Sequence, residues 1–383
     1  MDFEFFMPAH LIFGLGKIKD TGVYAKSFGK NALIVTGKSS AKKTGHLDTV
    51  AKSLEKEGVN WTLFDEVEPN PLTTTIDKGI TLARNSKVDV IIGLGGGSAM
   101  DSAKAIAFGV KREGSIANYF GPQPAGDVLP IILIPTTAGT GSEANNYSVM
   151  TNPETSAKKS FSSPDTFAKV SIIDPELTLT VPKKVTASTG IDVFFHALES
   201  YLSKRSQPIS KPLAFEAMKL VLDNLKGAYE HGDKIEYREP MAWASTIAGM
   251  AINLSGTCGI HGLGHPISAY YNIAHGETLA AVSLAFLRFS LPDASPKLAK
   301  VAELFGIDTK DISENEAAQK AIKALEEFIE DLGIPTKISA LGVKEEDIDK
   351  LAQNAYENAS SNLKSSPKFP SLEDVKKIYR DSL

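Results

Sequence analysis

The sequence holds a single cysteine, Cys258, in 383 residues. No disulfide can form within the chain, and a reducing compartment is its expected home. A small buried thiol is the expected state of Cys258. Excess positive charge is also missing: 41 Lys and Arg stand against 46 Asp and Glu, for a formal net charge of −5. That balance offers no basic face to a phosphate backbone, so nucleic acid is not an expected partner. No apolar run approaches the roughly 20 residues of a membrane span. The longest, at 128–134 and 279–287, end far short of it. Residues 1–10 carry acidic side chains where a secretory leader would be basic, so a cytoplasmic address is expected. Repeats and low-complexity tracts are absent. What remains is an ordinary globular composition, 42% hydrophobic and 23% charged, on a chain long enough for two domains.

The first 180 residues alternate two textures. Segments 31–36, 61–64, 88–94, 130–135 and 170–173 are short, apolar and β-branched, and read as strands. Between them, 47–58, 74–85 and 99–110 place apolar residues at helical spacing. Strands that alternate with helices, and are apolar enough for burial on both faces, predict a parallel α/β sheet. After Asp174-Pro175 the strand signals fade. Segments 187–202, 212–229, 238–254, 279–289, 314–332 and 344–359 are apolar at helical spacing. The expected organisation is an α/β domain over 1–180 and an all-helical domain over 181–383. A cleft between two such domains is the usual meeting place of cofactor and substrate.

Two loops of the first domain carry chemistry. The third strand runs into Gly95, Gly96, Gly97 and Ser98, with Asp101 in the helix that follows. Glycines let backbone N–H groups close around an anion, and a helix N-terminus adds a favourable dipole. A tight turn without ligand is the plainer alternative; three glycines and a serine after a buried strand favour phosphate. Ser98 breaks the G-x-G-x-x-G dinucleotide fingerprint, so that motif lends no support. The second loop, 135–143, holds Thr136, Thr137, Thr140 and Ser142 among glycines. It leaves the carboxyl end of a parallel strand, where α/β sheets bind ligands. Its hydroxyls suit ribose, phosphate or the nicotinamide amide, although such clusters are also ordinary loops.

Histidine is scarce, with seven in the chain, yet His261, His265 and His275 fall within fifteen residues. His196 follows Asp192 by four positions, one helical turn on the same face. His261 and His265 stand in the same relation. One carboxylate and several imidazoles suit a borderline divalent ion, Fe²⁺ or Zn²⁺ foremost. Taken singly, each of these histidines reads as a hydrogen-bonded core group, and Asp192/His196 as a helical ion pair. Their concentration in apolar helices shifts the balance towards a metal. His10, His46 and His231 have no such company and are assigned to surface or structure.

These residues together resemble the iron-containing (group III) alcohol dehydrogenase family. The similarity covers essentially the whole chain, from Phe13-Gly14 through the two loops and Asp174-Pro175-Glu176-Leu177 to the histidines. The resemblance implies a Rossmann-like N-terminal domain and a helical metal-binding domain, the dehydroquinate synthase-like architecture, usually assembled as a dimer or a larger oligomer. It assigns Asp192, His196, His261 and His275 to the metal and puts His265 beside the nicotinamide. On the cofactor side it implies Asn70, Gly95, Gly96, Gly97, Ser98, Asp101, Thr136, Thr137, Tyr147, Lys158 and Leu177. Lys159 adjoins Lys158, and spacing from Pro164 favours the latter.

The implied reaction is reversible hydride transfer between a small primary alcohol or diol and NAD(P)⁺, yielding the aldehyde. An alcohol is a very weak acid, and a divalent cation offers the charge it needs to give up its proton. His265 is a candidate relay for that proton, with orientation of the cofactor as its alternative role. After the first strand, Gly37, Lys38 and Ser39 present no acid to a ribose 2′-phosphate. NADP(H) is therefore expected ahead of NAD(H). A dehydroquinate-synthase-like cyclase is the rival enzyme, but 253–271 holds no Lys or Arg for a substrate phosphate. A non-catalytic metal-binding protein is the remaining alternative.

Overall fold

The computed structural model describes residues 3–383. Two compact units emerge: Phe6–Val181 with Asp233–Ala242, and Pro182–Gly232 with Trp243–Leu383 and residues 3–5.

The first unit runs β1 (His10–Phe13), α1 (Thr21–Lys26), β2 (Asn31–Gly37), α2 (Ser40–Lys43), α3 (His46–Lys56), β3 (Asn60–Val67), α4 (Thr73–Asn85), β4 (Val90–Gly95) and α5 (Gly97–Gly109). It continues with β5 (Gly121–Pro122), β6 (Ile131–Pro135), β7 (Tyr147–Asn152), β8 (Ala157–Ser162) and β9 (Val170–Ile173). Six strands form one sheet in the order β1-β9-β6-β4-β2-β3, with every neighbouring pair parallel. Successive side chains leave opposite faces of a strand, so a parallel sheet covered on both sides needs apolar residues at every position. Leu33, Val35, Ile91 and Leu133 accordingly join one core with Ile76, Ile106 and Phe108. Ile34, Ile92, Ile132 and Ile134 join the other, with Val50 and Leu54.

Two features lay outside the sequence expectation. Edge strand β1 pairs with β9 from His10↔Val170 to Phe13↔Ile173. β7 and β8 form an antiparallel hairpin that, with β5, makes a separate three-stranded sheet. β8 reads AKKSFS, in which two lysines and two serines hide the strand pattern, while four-residue β1 is too short to show one.

The second unit contains α6 (Lys183–Leu202), α7 (Ser210–Glu230), most of α8 (Ile235–Ser255), α9 (Gly259–Tyr271) and α10 (His275–Leu304). α11 (Glu314–Asp331), α12 (Ile348–Asn358), α13 (Ser360–Ser365) and α14 (Leu372–Asp381) complete it, with no strand among its described residues. α10 extends far beyond the expected 279–289, through Pro292 and Pro296. An interior proline costs about 3 kcal/mol. Here Ala294, Leu298, Val301 and Ala302 are buried along the continuing helix, and their burial offsets that cost. α6 is buried over most of its length, which makes it the axis on which the polar site of this unit is built.

Candidate active site

In the helical unit, α6 presents Asp192 and His196 on one face, and both side chains are buried. His196 Nδ1 lies 3.7 Å from Asp192 Oδ1. The same carboxylate oxygen lies 3.6 Å from Nε2 of His261, in the first turn of α9. His275 opens α10, and the residue after it explains how it comes so near α6. A Cβ on Gly276 would sit 1.9 Å from the Ser188 carbonyl oxygen, so only glycine permits that approach. One ligand-type atom each from Asp192, His261 and His275 fall within 4.8 Å of one another. His196 lies outside that trio but stacks on His261, with ring centroids 4.6 Å apart. His265 is half-buried, its ring 5.3 Å from that of His275 and 6.1 Å from that of His261. The five side chains singled out by spacing therefore do converge.

The electrostatics of this cluster call for positive charge. Burial alone would depress the His261 imidazole, but Glu199 and Asp192 outweigh it and push the group up to about 9. His261 Nε2 is nevertheless buried without a hydrogen bond. Asp192 Oδ1, at 3.6 Å, is too distant for a hydrogen bond, and a buried polar atom in that state is costly unless something else satisfies it. Three imidazoles and a carboxylate form a donor set suited to Fe²⁺ or Zn²⁺. On both counts the residues present fit a divalent metal.

In the sheet unit, the pairings Thr36↔Leu94 and Gly95↔Pro135 bring the carboxyl ends of β2, β4 and β6 side by side. Both sequence-derived loops leave from this edge. Thr136 N–H donates to Gly95 O at 3.0 Å. A Cβ on Gly97 would lie 2.4 Å from Thr140 Cγ2, so the two loops touch through glycine. Gly96, Gly97 and Ser98 form the start of α5, with Gly96 against Thr137 and Gly95 bonded to Thr136. Asn70, held at φ 56° between two prolines, accepts from Lys158 Nζ at 2.9 Å. Lys159, the next residue of β8, points to the other face. Gly37 ends β2, and Lys38 and Ser39 are exposed just beyond it.

Three other cofactor-side candidates, Leu177, Asp101 and Tyr147, have these surroundings in the structure. Leu177 is 4% exposed and belongs to an apolar core with Ile172 and Leu94, so its side chain packs rather than lines a surface. Asp101 is buried with both oxygens committed internally: Oδ1 accepts from Ser142 Oγ at 2.6 Å and Oδ2 from Val149 N–H at 2.9 Å. Tyr147 is half-buried, and its carbonyl accepts from Lys104 Nζ at 2.7 Å.

Residues 8–175 match the description "Iron-containing alcohol dehydrogenase", and residues 186–383 match "Fe-containing alcohol dehydrogenase family, C-terminal". The chain belongs to the iron-containing alcohol dehydrogenase family. It is 34% identical to the NAD-dependent methanol dehydrogenase of Bacillus methanolicus, over 99% of this chain and 100% of that protein. It is 35% identical to the 1,3-propanediol dehydrogenase of Klebsiella pneumoniae, over 99% and 98%. Its fold superposes on the crystal structure of the archaeal Red Sea brine pool alcohol dehydrogenase ADH/D1 with a TM-score of 0.94. The two are 36% identical, with both chains fully covered. Both the cyclase and the non-catalytic alternative lose their footing against these matches.

Within this iron-type dehydrogenase, two polar residues at the heart of the units have no role in the sequence reading. Glu199 is 0% exposed and accepts from the His261 ring. It lies seven residues after Asp192 and three after His196, a spacing that places all three on one face of α6. Lys104 is also 0% exposed, and burial outweighs Asp101 and Glu143 to pull it down to about 8. Its location in a nearly all-apolar helical segment is the only sequence signal it leaves. Cys258 is a buried thiol whose pKa burial pushes up, in keeping with an inert core residue. His10 and His231 are exposed and His46 is half-buried.

Proposed function

We propose that this alcohol dehydrogenase holds a divalent ion, Fe²⁺ foremost and Zn²⁺ next, on Asp192, His196, His261 and His275. With it, the enzyme interconverts a small primary alcohol or diol and its aldehyde by hydride exchange with a nicotinamide dinucleotide. The carrying observation is the approach of ligand atoms from Asp192, His261 and His275 to one another, with His261 Nε2 buried and without a hydrogen bond. When bound, a divalent ion supplies Lewis-acid charge to the alcohol or aldehyde oxygen.

The chain's own residues do the rest. Three imidazoles and one carboxylate would hold a divalent ion without cancelling its charge at the first ligands, and the buried walls of α6, α9 and α10 exclude water around it. His265, one turn from His261, receives the alcohol proton and passes it outward. The backbone of Gly95, Gly96, Gly97 and Ser98 at the start of α5 binds the cofactor pyrophosphate, and Thr136 and Thr137 supply hydroxyls. The Asn70–Lys158 pair offers a cation and an amide to the same ligand, with Tyr147 at the head of its hairpin. Asp101 serves by fixing the Ser142 loop, and Leu177 by packing in the core with Ile172 and Leu94. Exposed Lys38 and Ser39 after an acid-free β2 end support a preference for NADP(H), although the methanol dehydrogenase relative is named as NAD-dependent. A cytoplasmic homodimer completes the proposal.

Chelation tests it. Metal-free protein should lose turnover of ethanol, butanol or 1,3-propanediol while keeping its circular dichroism, and Fe²⁺ or Zn²⁺ should restore the rate. His275→Ala should lose both metal and rate. Undiminished activity after verified metal removal sinks the proposal.

A further inference from the structure

One carboxylate in the helical unit does two jobs at once. Glu199 Oε1 accepts from the backbone N–H groups of Cys258 at 3.0 Å, Ile260 at 2.7 Å and His261 at 3.3 Å. Those N–H groups belong to the N-terminal turn of α9 and have no partner within the helix. Cys258, the residue at the cap position, makes no side-chain cap of its own. Glu199 therefore caps α9 from a neighbouring helix. Its second oxygen, Oε2, pairs with His261 Nδ1.

From this geometry we propose that Glu199 is a positioning residue that decides which nitrogen of His261 faces the metal. The inference rests on the metal site proposed above. As a carboxylate, Glu199 can only accept hydrogen bonds, so the nitrogen facing it must carry the proton. That nitrogen is Nδ1. Nε2, 3.6 Å from Asp192 Oδ1 and buried without a hydrogen bond, is then the nitrogen that offers its lone pair once a metal takes the place of its proton. An imidazole whose far nitrogen donates to a carboxylate is both oriented and made more basic towards a metal. The economy lies in the helix: α6 carries Asp192, His196 and Glu199 on one face. It thus supplies two of the proposed ligands and fixes a third through the cap of α9.

Glu199→Gln separates this role from simple capping. The amide oxygen can go on accepting from the three backbone N–H groups. Its NH₂ group then faces His261 Nδ1 and can only donate, which drives the imidazole proton onto Nε2, the metal-facing position. Turning the amide over sets NH₂ against three N–H donors and gives no escape. We expect Glu199→Gln to keep the wild-type circular dichroism and lose roughly 10- to 100-fold in Zn²⁺ affinity, read by chelator competition. The visible spectrum of its Co²⁺-loaded form should change as well. Glu199→Ala should lose affinity and also lower the thermal midpoint of the metal-free protein, because the cap goes too. Wild-type Zn²⁺ affinity in a folded Glu199→Gln protein would overturn the inference and leave Glu199 a cap only. Should that variant not fold, the Zn²⁺-loaded wild type labelled with ¹⁵N-histidine decides the matter. A proton on His261 Nδ1 upholds the inference, and a bare Nδ1 overturns it. Wild-type protein that binds no Zn²⁺ would instead bring down the metal site itself, and this inference with it. Loss of Zn²⁺ in His275→Ala but not in Glu199→Gln would bring down the inference alone.

Discussion

Each unit of this dehydrogenase buries a polar cluster, and the two are completed in different ways. In the sheet unit, Lys104 spends its three N–H donors on Ser142 Oγ at 2.8 Å, Asn145 Oδ1 at 3.2 Å and the Tyr147 carbonyl at 2.7 Å. Ser142 passes the chain on to Asp101, which also holds Val149 N–H. Every bond is internal, and the cluster ties α5 to the loop and hairpin that follow β6. In the helical unit, Glu199 satisfies one side of His261, and the other faces Asp192 Oδ1 at 3.6 Å without a hydrogen bond. A closed buried network fixes a shape; an open one with convergent donors asks for a ligand. Burial and charge alone do not mark a functional centre, since both clusters have them. The convergence of ligand-type atoms from Asp192, His261 and His275 does.

Breaking the closed cluster should produce the largest loss of stability. Lys104→Met strands the Asp101 carboxylate in the interior and should cost about 3–5 kcal/mol. Urea denaturation followed through a signal from the sheet unit would read that loss, and the folded fraction should still bind metal. A midpoint equal to that of the wild type would mean that Lys104 bears no weight. The open cluster predicts the opposite phenotype. His265→Ala should retain metal and midpoint, while kcat falls by a factor on the order of 10² or more if the ring carries the proton. Added imidazole should then restore part of the rate. Loss of metal would move His265 among the ligands, and unchanged kcat with a raised cofactor KM would make it a wall of the nicotinamide site. The smallest effect lies at the exposed end of β2. A Cβ on Gly37 would meet only Val67 O, at an ordinary 3.6 Å, so Gly37→Asp should fold normally. The new acid should shift the ratio of kcat/KM from NADP(H) towards NAD(H). A wild-type preference for NAD(H) would remove the ground for that shift.

The two clusters also differed in how much of them could be read from residues alone. Asp192 and His196 share a helical face by spacing, and α6 is a helix. The glycine turn and the Thr136 loop follow apolar strands, and they do lie side by side. The hairpin that brings Lys158 to Asn70 was not foreseen, because the lysines and serines of β8 lack any apolar alternation. The family resemblance places Asp101 on the cofactor side. Only the fold reveals that Ser142 and Val149, more than forty positions away, claim its oxygens.

Periodicity, glycine placement and the clustering of scarce histidines belong to the chain by itself. They follow from local backbone geometry, and they determined the parallel sheet, the helical half, the family and the set of converging ligand types. Partnership between distant residues belongs to the tertiary structure. Glu199 at the head of α9, Gly276 against Ser188, Lys158 on Asn70 and the closed Lys104 network each depend on which elements come to pack together. A hydrogen bond is decided by tenths of an ångström between side chains that can lie 105 positions apart, and sequence spacing carries no information at that scale.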